Sequence, residues 1–351
     1  MQLRRSLSDA TESGRGVRVG NAMSLQLEAY NTRRIASFTS VEAETYILLL
    51  SYLSNLTDPP PIGASVPYTL VLEGRDRARG LAARFASEQQ VRCAWLDSEL
   101  HLANNRGLVA YDPQIKQGKK ESEAALAAFL EDVLAGKEKV STDFSYLRYK
   151  LGQLYVDQGF VALNADHDLK VAGDKFEAGG RYLVLSAAQT RNVNITNNWH
   201  RYNYGISRLQ TQQQLPILRR LRNYANELFA EKLKLSETEM CAYTFVLNTF
   251  AEAALRANQD GEAVPALQKY NELLHRLRLL DRRNENYETS EVTGFYSLAE
   301  VYARLGKTRD ARQQYRLAIE AASQVSEGSK NLLEADGFLL EVREKAASNI
   351  R

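Results

Sequence analysis

Apolar residues recur along most of this chain at intervals of three and four positions, which is the spacing of amphipathic helices. Two such faces follow each other near the C-terminus, one made by Phe295, Leu298, Ala299 and Tyr302 and the next by Ala311, Tyr315, Ala318 and Ile319. Gly306 lies between them, where glycine favours the left-handed turn that ends a helix. Alternating β-branched runs, which would indicate strands, are rare. The pattern therefore predicts an all-α protein.

Proline interrupts this helical pattern at one place. Four of the seven prolines, Pro59, Pro60, Pro61 and Pro67, fall in a short stretch that also contains Gly63. A helix cannot continue through such a stretch. We expect a break between helices there.

The last pair of helices resembles the tetratricopeptide repeat, in which small residues and aromatics alternate between two antiparallel helices. Its positions are Phe295, Leu298, Ala299, Tyr302, Gly306, Ala311, Tyr315 and Ala318. A second copy fits Phe250, Ala253, Ala254, Ala257, Ala266, Tyr270 and Leu273. A third fits Leu151, Gly152, Tyr155, Ala172, Phe176 and Gly179, with extra residues around Asn164 to Asp168 that should lengthen the connection between its helices.

The copies repeat with a period of about 45 residues, longer than that of typical tetratricopeptide repeats and close to that of HEAT and armadillo repeats. The resemblance implies an all-α, tetratricopeptide-like α-solenoid of about five to six antiparallel helix pairs. Residues 330 to 347 should form a capping helix. We divide the chain into a polar flexible leader (1–22), an N-terminal helical region with divergent repeats (23–139), and the tetratricopeptide-like repeats with their cap (140–351).

Composition narrows the classes of partner. The 45 basic and 43 acidic side chains give a net charge of only +2, so the chain lacks the overall positive charge typical of nucleic-acid-binding proteins. Two cysteines, Cys93 and Cys241, are too few for a disulfide framework or a cysteine-only zinc site. The sequence contains neither a membrane-spanning apolar run nor a secretory signal. We expect a cytoplasmic protein.

Catalytic motifs are absent from the sequence. It contains no phosphate-binding loop, and its four histidines form no spaced metal-binding pair. Asp166, His167 and Asp168 offer metal-ligand chemistry, but three adjacent residues cannot converge on one ion without help from elsewhere. We therefore expect that the protein is not an enzyme and that it has no cofactor and no metal site. A catalytic site assembled from residues far apart in the sequence is the alternative.

The resemblance also implies a binding site. In tetratricopeptide proteins the first helix of each repeat lines a concave groove, and the matching positions here are rich in aromatic and amide side chains. The predicted partner-binding residues are Tyr146, Tyr149, Gln153, Trp199, Tyr202, Asn248 and Tyr296. Aromatic rings bring a large contact area at a small entropic cost, as in interface hot spots. Ordinary packing between helices is the alternative role for the same rings.

Two arginine clusters suggest a second class of ligand. They are Arg219, Arg220 and Arg222, and Arg276, Arg278, Arg282 and Arg283. Such clusters could neutralise phosphates if their side chains faced the same way. Acidic residues nearby favour a salt-bridged helix surface instead.

From the sequence we therefore expect a scaffold or adaptor that binds a partner protein or peptide in a concave groove, with regulation of that partner as a further role. The alternative is a helical-repeat protein that binds nucleic acid through its arginine clusters. The sequence indicates no membrane association.

Overall fold

A computed structural model gives the architecture. It describes residues 16–56, 68–104, 119–137, 144–187, 194–229, 232, 234–282, 284–335 and 337–348. Within these ranges the chain is helical and contains no β-strand, which confirms the all-α class. The chain divides into two compact units, residues 1–143 and residues 144–351. The proline-rich stretch lies outside the described residues.

The first unit contains five α-helices and one short 3-10 helix among its described residues. They are α1 (Gly16–Asn31), the 3-10 helix (Ile35–Ser37), α2 (Ser40–Leu56), α3 (Tyr68–Arg84), α4 (Gln89–Asn104) and α5 (Lys119–Leu134). Their core is apolar and centres on Tyr46, Leu50 and Leu27, which are fully buried. Residues 16 to 22, predicted to belong to a flexible leader, instead begin helix α1. The first 15 residues of that leader lie outside the described residues.

The second unit is a stack of helix hairpins. Its helices are α6 (Phe144–Asn164), α7 (Leu169–Ala187), α8 (Asn194–Ser207), α9 (Thr211–Phe229), α10 (Glu237–Arg256), α11 (Asp260–Leu280), α12 (Glu285–Arg304), α13 (Thr308–Ser323), α14 (Glu327–Ala335) and α15 (Phe338–Ser348). Helices α6 to α13 form four successive hairpins with short connections. Each hairpin packs on the next one along the chain, which is the arrangement of an α-solenoid.

The residues that suggested repeats lie at the contacts within these hairpins. In the last hairpin, Leu298, Ala299 and Tyr302 of α12 and Ala311, Tyr315 and Ala318 of α13 are all buried. Gly306 has a φ of +70°, so the predicted left-handed turn ends α12 as expected. In the hairpin before it, Asn258 adopts a φ of +54° after α10, a conformation that asparagine tolerates. Small residues of the last hairpin, such as Ala299 and Ala311, thus lie where α12 and α13 approach each other closely.

Hairpin α6–α7 corrects the predicted connection. Helix α6 continues to Asn164 and α7 begins at Leu169, so the extra residues lengthen the helix rather than the loop. The two backbones approach closely, because a Cβ added at Gly152 would lie 3.1 Å from the Leu183 amide nitrogen and 3.2 Å from the Gly179 carbonyl oxygen. A residue larger than glycine would push these helices apart.

Phe176 of α7 fills a notch made by two further glycines. A Cβ added at Gly159 of α6 would lie 2.7 Å from the Phe176 ring, and one added at Gly205 of α8 would lie 2.5 Å from two of its atoms. Phe176 itself is fully buried. Its ring therefore lies where the first hairpin meets the second.

Ion pairs join neighbouring hairpins. Arg201 of α8 pairs with Asp157 of α6, and Arg304 of α12 pairs with Asp260 of α11. A third pair is bidentate, with Arg219 of α9 donating to both carboxylate oxygens of the α11 residue Glu262 at 2.8 and 3.0 Å. Most of these side chains are partly exposed, so each pair contributes less than about 1 kcal/mol.

The C-terminal segment departs from the predicted single capping helix. It forms two short helices, α14 and α15, separated at Gly337, whose φ is +67°. Helix α14 packs on α12, and α15 packs on α13. Glu288 of α12 anchors α14, because its carboxylate accepts hydrogen bonds from the Ser326 amide at 3.0 Å and the Ser326 hydroxyl at 2.6 Å, and also from the Ser329 hydroxyl. The segment still covers the last hairpin.

Candidate functional site

The predicted groove residues occupy different environments. Tyr149 and Gln153 on α6 and Asn248 on α10 are half-buried. The Asn248 amide donates a hydrogen bond of 2.8 Å to Glu252 in the next turn of the same helix. Tyr146 lies in α6, but its side chain is outside the described residues. Tyr149, Gln153 and Asn248 keep part of their surface accessible to a partner.

Trp199 and Tyr202 belong to the core of the second unit. Their side chains are 1% and 0% exposed, and their rings meet edge to face at 5.4 Å. Trp199 also stacks on Phe245 at 6.1 Å, and burial raises the pKa of Tyr202. The prediction that these two rings line an open groove therefore needs correction, because they present no surface to a partner in this conformation.

The opposite side of helix α8 is exposed and carries the chemistry expected of a contact surface. We call the side chains of His200, Arg201, Tyr204 and Arg208 the α8 face. Tyr204 is 57% exposed, and the Arg208 guanidinium approaches its hydroxyl at 3.4 Å. His200, Arg201 and Tyr204 share one side of α8, and Arg208 follows directly after its last residue, Ser207.

Rings of the neighbouring helices flank the α8 face. Phe160 of α6 stacks on Tyr204, with centroids 6.0 Å apart and an interplanar angle of 27°. Phe245 of α10 meets His200 edge to face at 5.6 Å, and the Arg201 guanidinium lies 6.0 Å from the Phe160 centroid. Three successive first helices thus present one surface of aromatic rings and cations.

Sequence reasoning missed the α8 face because Trp199 and Tyr202 were assigned to the exposed side of their helix. The alignment directed Trp199 and Tyr202 outward, whereas both are buried together with Ile206 and Leu209. The apolar spacing of these four residues was the signal that could have identified the buried side. Tyr204, on the other side of α8, would then have been the exposed aromatic.

Tyr296 of α12 is covered by the C-terminal helix α15. It is 9% exposed; its hydroxyl donates to Glu341 at 2.7 Å, and its ring meets Phe338 at 4.9 Å. Burial raises the pKa of Tyr296 to about 12. Lys345 lies 5.2 Å above the ring and donates to Glu300 at 2.9 Å. Helix α15 of the same chain therefore covers Tyr296, which was predicted to contact a partner.

The first arginine cluster is largely neutralised within the chain. Arg219 pairs with Glu262, and Arg220 donates to both carboxylate oxygens of Glu177 at 2.9 and 3.0 Å. The Arg222 guanidinium lies 4.1 Å from the Phe250 centroid, and burial lowers its pKa. The three arginines of this cluster therefore contact different residues of the chain and do not form one open positive surface.

Arginines of the second cluster also contact acidic residues of the same chain. Arg278 pairs with the buried Glu291, whose other oxygen lies 2.8 Å from the Nδ1 atom of His275. Arg276 approaches Glu272 at 4.0 Å. Arg282 is exposed, and Arg283 lies outside the described residues. Intramolecular pairs thus engage several of the arginines considered for phosphate binding.

A serine and a histidine lie together in the first unit. The Ser51 hydroxyl is 2.9 Å from Nδ1 of His101, and the same nitrogen is 3.8 Å from the Asp97 carboxylate. In a catalytic triad the serine and the carboxylate contact different ring nitrogens. The two contacts to one nitrogen therefore do not have the geometry of a triad.

The Asp166–Asp168 segment forms the turn between α6 and α7. His167 has a φ of +52°, and the Asp168 carboxylate accepts a hydrogen bond of 2.9 Å from the Val171 amide. This contact caps the start of α7. Across the part of the chain that the structure describes, no group of three metal-ligating side chains is close enough to hold an ion.

None of the described helices combines the length and the apolar character that crossing a bilayer requires.

No protein-family model and no curated protein matches the chain. Among solved structures, the nuclear import adaptor Nro1 of S. pombe is similar, with 13% identity, a TM-score of 0.42, and coverage of 85% of this chain and 99% of that one. A second Nro1 structure has 10% identity, a TM-score of 0.44, and coverage of 91% and 99%. Yeast Tom70 has 11% identity, a TM-score of 0.20, and coverage of 92% of this chain and 69% of its own. At this level the likeness carries no conclusion about function.

Proposed function

We propose that this chain is a protein-interaction scaffold or adaptor that binds a partner protein or peptide on the first helices of its hairpins, with the α8 face at the centre of the site. The observation that carries the proposal is Tyr204, an aromatic side chain 57% exposed, stacked on Phe160 and accompanied by Arg201 and Arg208. Tyrosine and arginine are enriched among residues that dominate binding energy at interfaces.

The arrangement suits binding better than catalysis. A stack of hairpins presents side chains from successive repeats along one surface, and a partner can contact several repeats at once. Half-buried Tyr149, Gln153 and Asn248 lie on the same set of first helices and could extend the contact. Small residues buried at repeat-like spacing, such as Ala299 and Ala311, support a tetratricopeptide-like repeat. We assign the protein to the cytoplasm as part of this proposal.

The test is affinity capture from an extract of the source cells with three forms of the full chain. They are the unaltered chain, a Tyr204→Ala/Arg208→Ala variant, and a Leu332→Ala control. Leu332 is 55% exposed on α14, so the control removes a comparably exposed side chain elsewhere. Circular dichroism checks that helicity is unchanged.

We expect a protein that is recovered with the unaltered chain and the control but lost with the double variant. Truncating an exposed aromatic and an arginine at the centre of an interface should weaken binding by about 2 kcal/mol or more. Equal recovery by all three forms would exclude the α8 face as the binding site. Recovery of no protein would contradict the adaptor function.

A further inference from the structure

Helix α13 carries a row of arginines on its outer side that the sequence analysis did not single out. Arg309, Arg312 and Arg316 recur at steps of three and four residues, so they share one side of the helix. Together with Thr308, Gln313 and Leu317 they line an open depression of about 650 Å³. Seven residues of helix correspond to roughly 10 Å, which sets the length of this positive surface.

Arg309 and Arg316 differ from the arginines that join neighbouring hairpins. Both side chains are exposed, and neither forms an ion pair with any residue that the structure describes. By contrast, arginines between hairpins, such as Arg219, Arg220 and Arg304, pair with carboxylates. Arg309 also lies in the first turn of α13, where the helix dipole disfavours a cation. A bound anion would pair with both guanidinium groups and offset the unfavourable interaction of Arg309 with the helix dipole.

A pocket with one apolar wall adjoins this row of arginines through Leu317. The pocket has a volume of about 450 Å³, and its apolar wall consists of Leu279, Phe295, Leu317 and Ala321. Leu279 is 55% exposed, so apolar surface remains open to solvent there. Arg282 lies at the same pocket and adds a cation to its edge.

We propose that this surface binds an acidic segment of a partner protein, with the carboxylates on Arg309 and Arg316 and an adjacent apolar side chain in the pocket beside Leu317. An extended peptide advances about 3.3 Å per residue, so roughly three to four residues span the arginines. The expected motif is a short acidic run followed by a large apolar residue. This site lies on a second helix of its hairpin and does not depend on the α8 face.

Charge and shape favour a peptide over a nucleic acid. Proteins that bind duplex DNA tightly contact about 6–10 phosphates, whereas this surface offers a short row of guanidinium groups. The adjoining pocket combines its apolar wall with charged side chains, among them Arg278, Arg282, Glu291 and Glu320. The apolar wall would accept a leucine side chain, whereas a phosphate backbone offers no such group.

The test measures binding of a fluorescein-labelled peptide, in which consecutive glutamates precede a leucine, to the full chain by fluorescence anisotropy. The variant is Arg309→Gln/Arg316→Gln. The control Lys269→Gln/Arg276→Gln makes the same change in net charge at partly exposed residues that pair within the chain. A glutamine peptide and a single-stranded oligothymidylate serve as further probes. A Leu317→Ser variant tests the pocket against a peptide with serine in place of leucine.

We expect the acidic peptide to bind the unaltered chain and the control equally, and the arginine variant about tenfold more weakly, because two exposed ion pairs are lost. The Leu317→Ser variant should lose the preference for leucine over serine. The proposal is overturned if the arginine variant binds as tightly as the control, if the glutamine peptide or the oligothymidylate binds as well as the acidic peptide, or if the acidic peptide does not bind. These outcomes are independent of the α8-face experiment.

Discussion

The notch around Phe176 provides a sharp test of the packing described for the second unit. In a Gly205→Ala variant the new methyl group would lie 2.5 Å from two atoms of the Phe176 ring and 3.2 Å from Phe160, whereas carbon atoms in contact lie at about 3.5–4.0 Å. Phe176 is fully buried and cannot move without displacing its neighbours. We place the cost of this overlap at about 3 kcal/mol.

Helix propensity acts in the other direction. Alanine in place of glycine in a helix interior stabilises by about 1 kcal/mol. Gly205 lies in the last turn of α8, where the gain is no larger, so the net loss of unfolding free energy should be at least about 2 kcal/mol. Gly261→Ala is the matched control, because nothing lies within 4 Å of the Cβ that it would add. That control should be neutral or slightly stabilising.

A double-mutant cycle assigns the loss to the ring. In a Phe176→Leu background, where the ring is absent, the cost of Gly205→Ala should fall to about 0.5 kcal/mol or less. Urea unfolding is followed through the fluorescence of Trp199 in a Trp95→Phe background, since these are the two tryptophans of the chain and only Trp199 belongs to the second unit. Equal costs of Gly205→Ala in both backgrounds would refute the reasoning.

Three further predictions concern polar contacts. Ser236→Ala removes the residue that forms a capping box with Glu239 at the start of α10, so the unfolding free energy should fall by about 1 kcal/mol in urea unfolding. Burial raises the pKa of Glu288, but the hydrogen bonds from Ser326 and Ser329 outweigh it and hold the pKa below its usual value. The resulting stabilisation is present above the ordinary carboxyl pKa of 4.5 and is lost as the pH falls further, so a Glu288→Gln variant should show a shallower acid-induced loss of stability. Arg220→Ala should cost less than about 1 kcal/mol, since the Arg220 side chain is half exposed in its pair with Glu177, and the cost should shrink further in high salt.

The helical class and several hairpin contacts could be predicted from the sequence because they depend on local spacing. The turn at Gly306 and the buried faces of α12 and α13 follow from residues that are close in the chain. The length of α6 was misjudged because a motif fixes the residues at a contact but not where the helix beyond it ends. The break at Gly337 was missed because one glycine in an otherwise helical pattern is commonly tolerated.

The candidate site was harder to predict than the fold. The side of α8 that faces inward is decided by its neighbours, such as Gly180, where an added Cβ would lie 3.0 Å from the Tyr202 ring. Pairing of the arginines likewise depends on carboxylates about one repeat away, as Arg220 and Glu177 show. The spacing of apolar residues in α8 indicates its buried side, but it contains no information about which carboxylate pairs with each arginine.

The ion pairs between hairpins affect how the second unit responds to ionic strength. In a linear array, cooperativity depends on the coupling between adjacent repeats as well as on the stability of each repeat. Pairs such as Arg201–Asp157 and Arg304–Asp260 contribute to that coupling, and added salt screens exposed charges far more than buried apolar contacts. Raising the salt concentration should therefore broaden the unfolding transition and allow terminal hairpins to open separately, while the hairpins themselves remain folded.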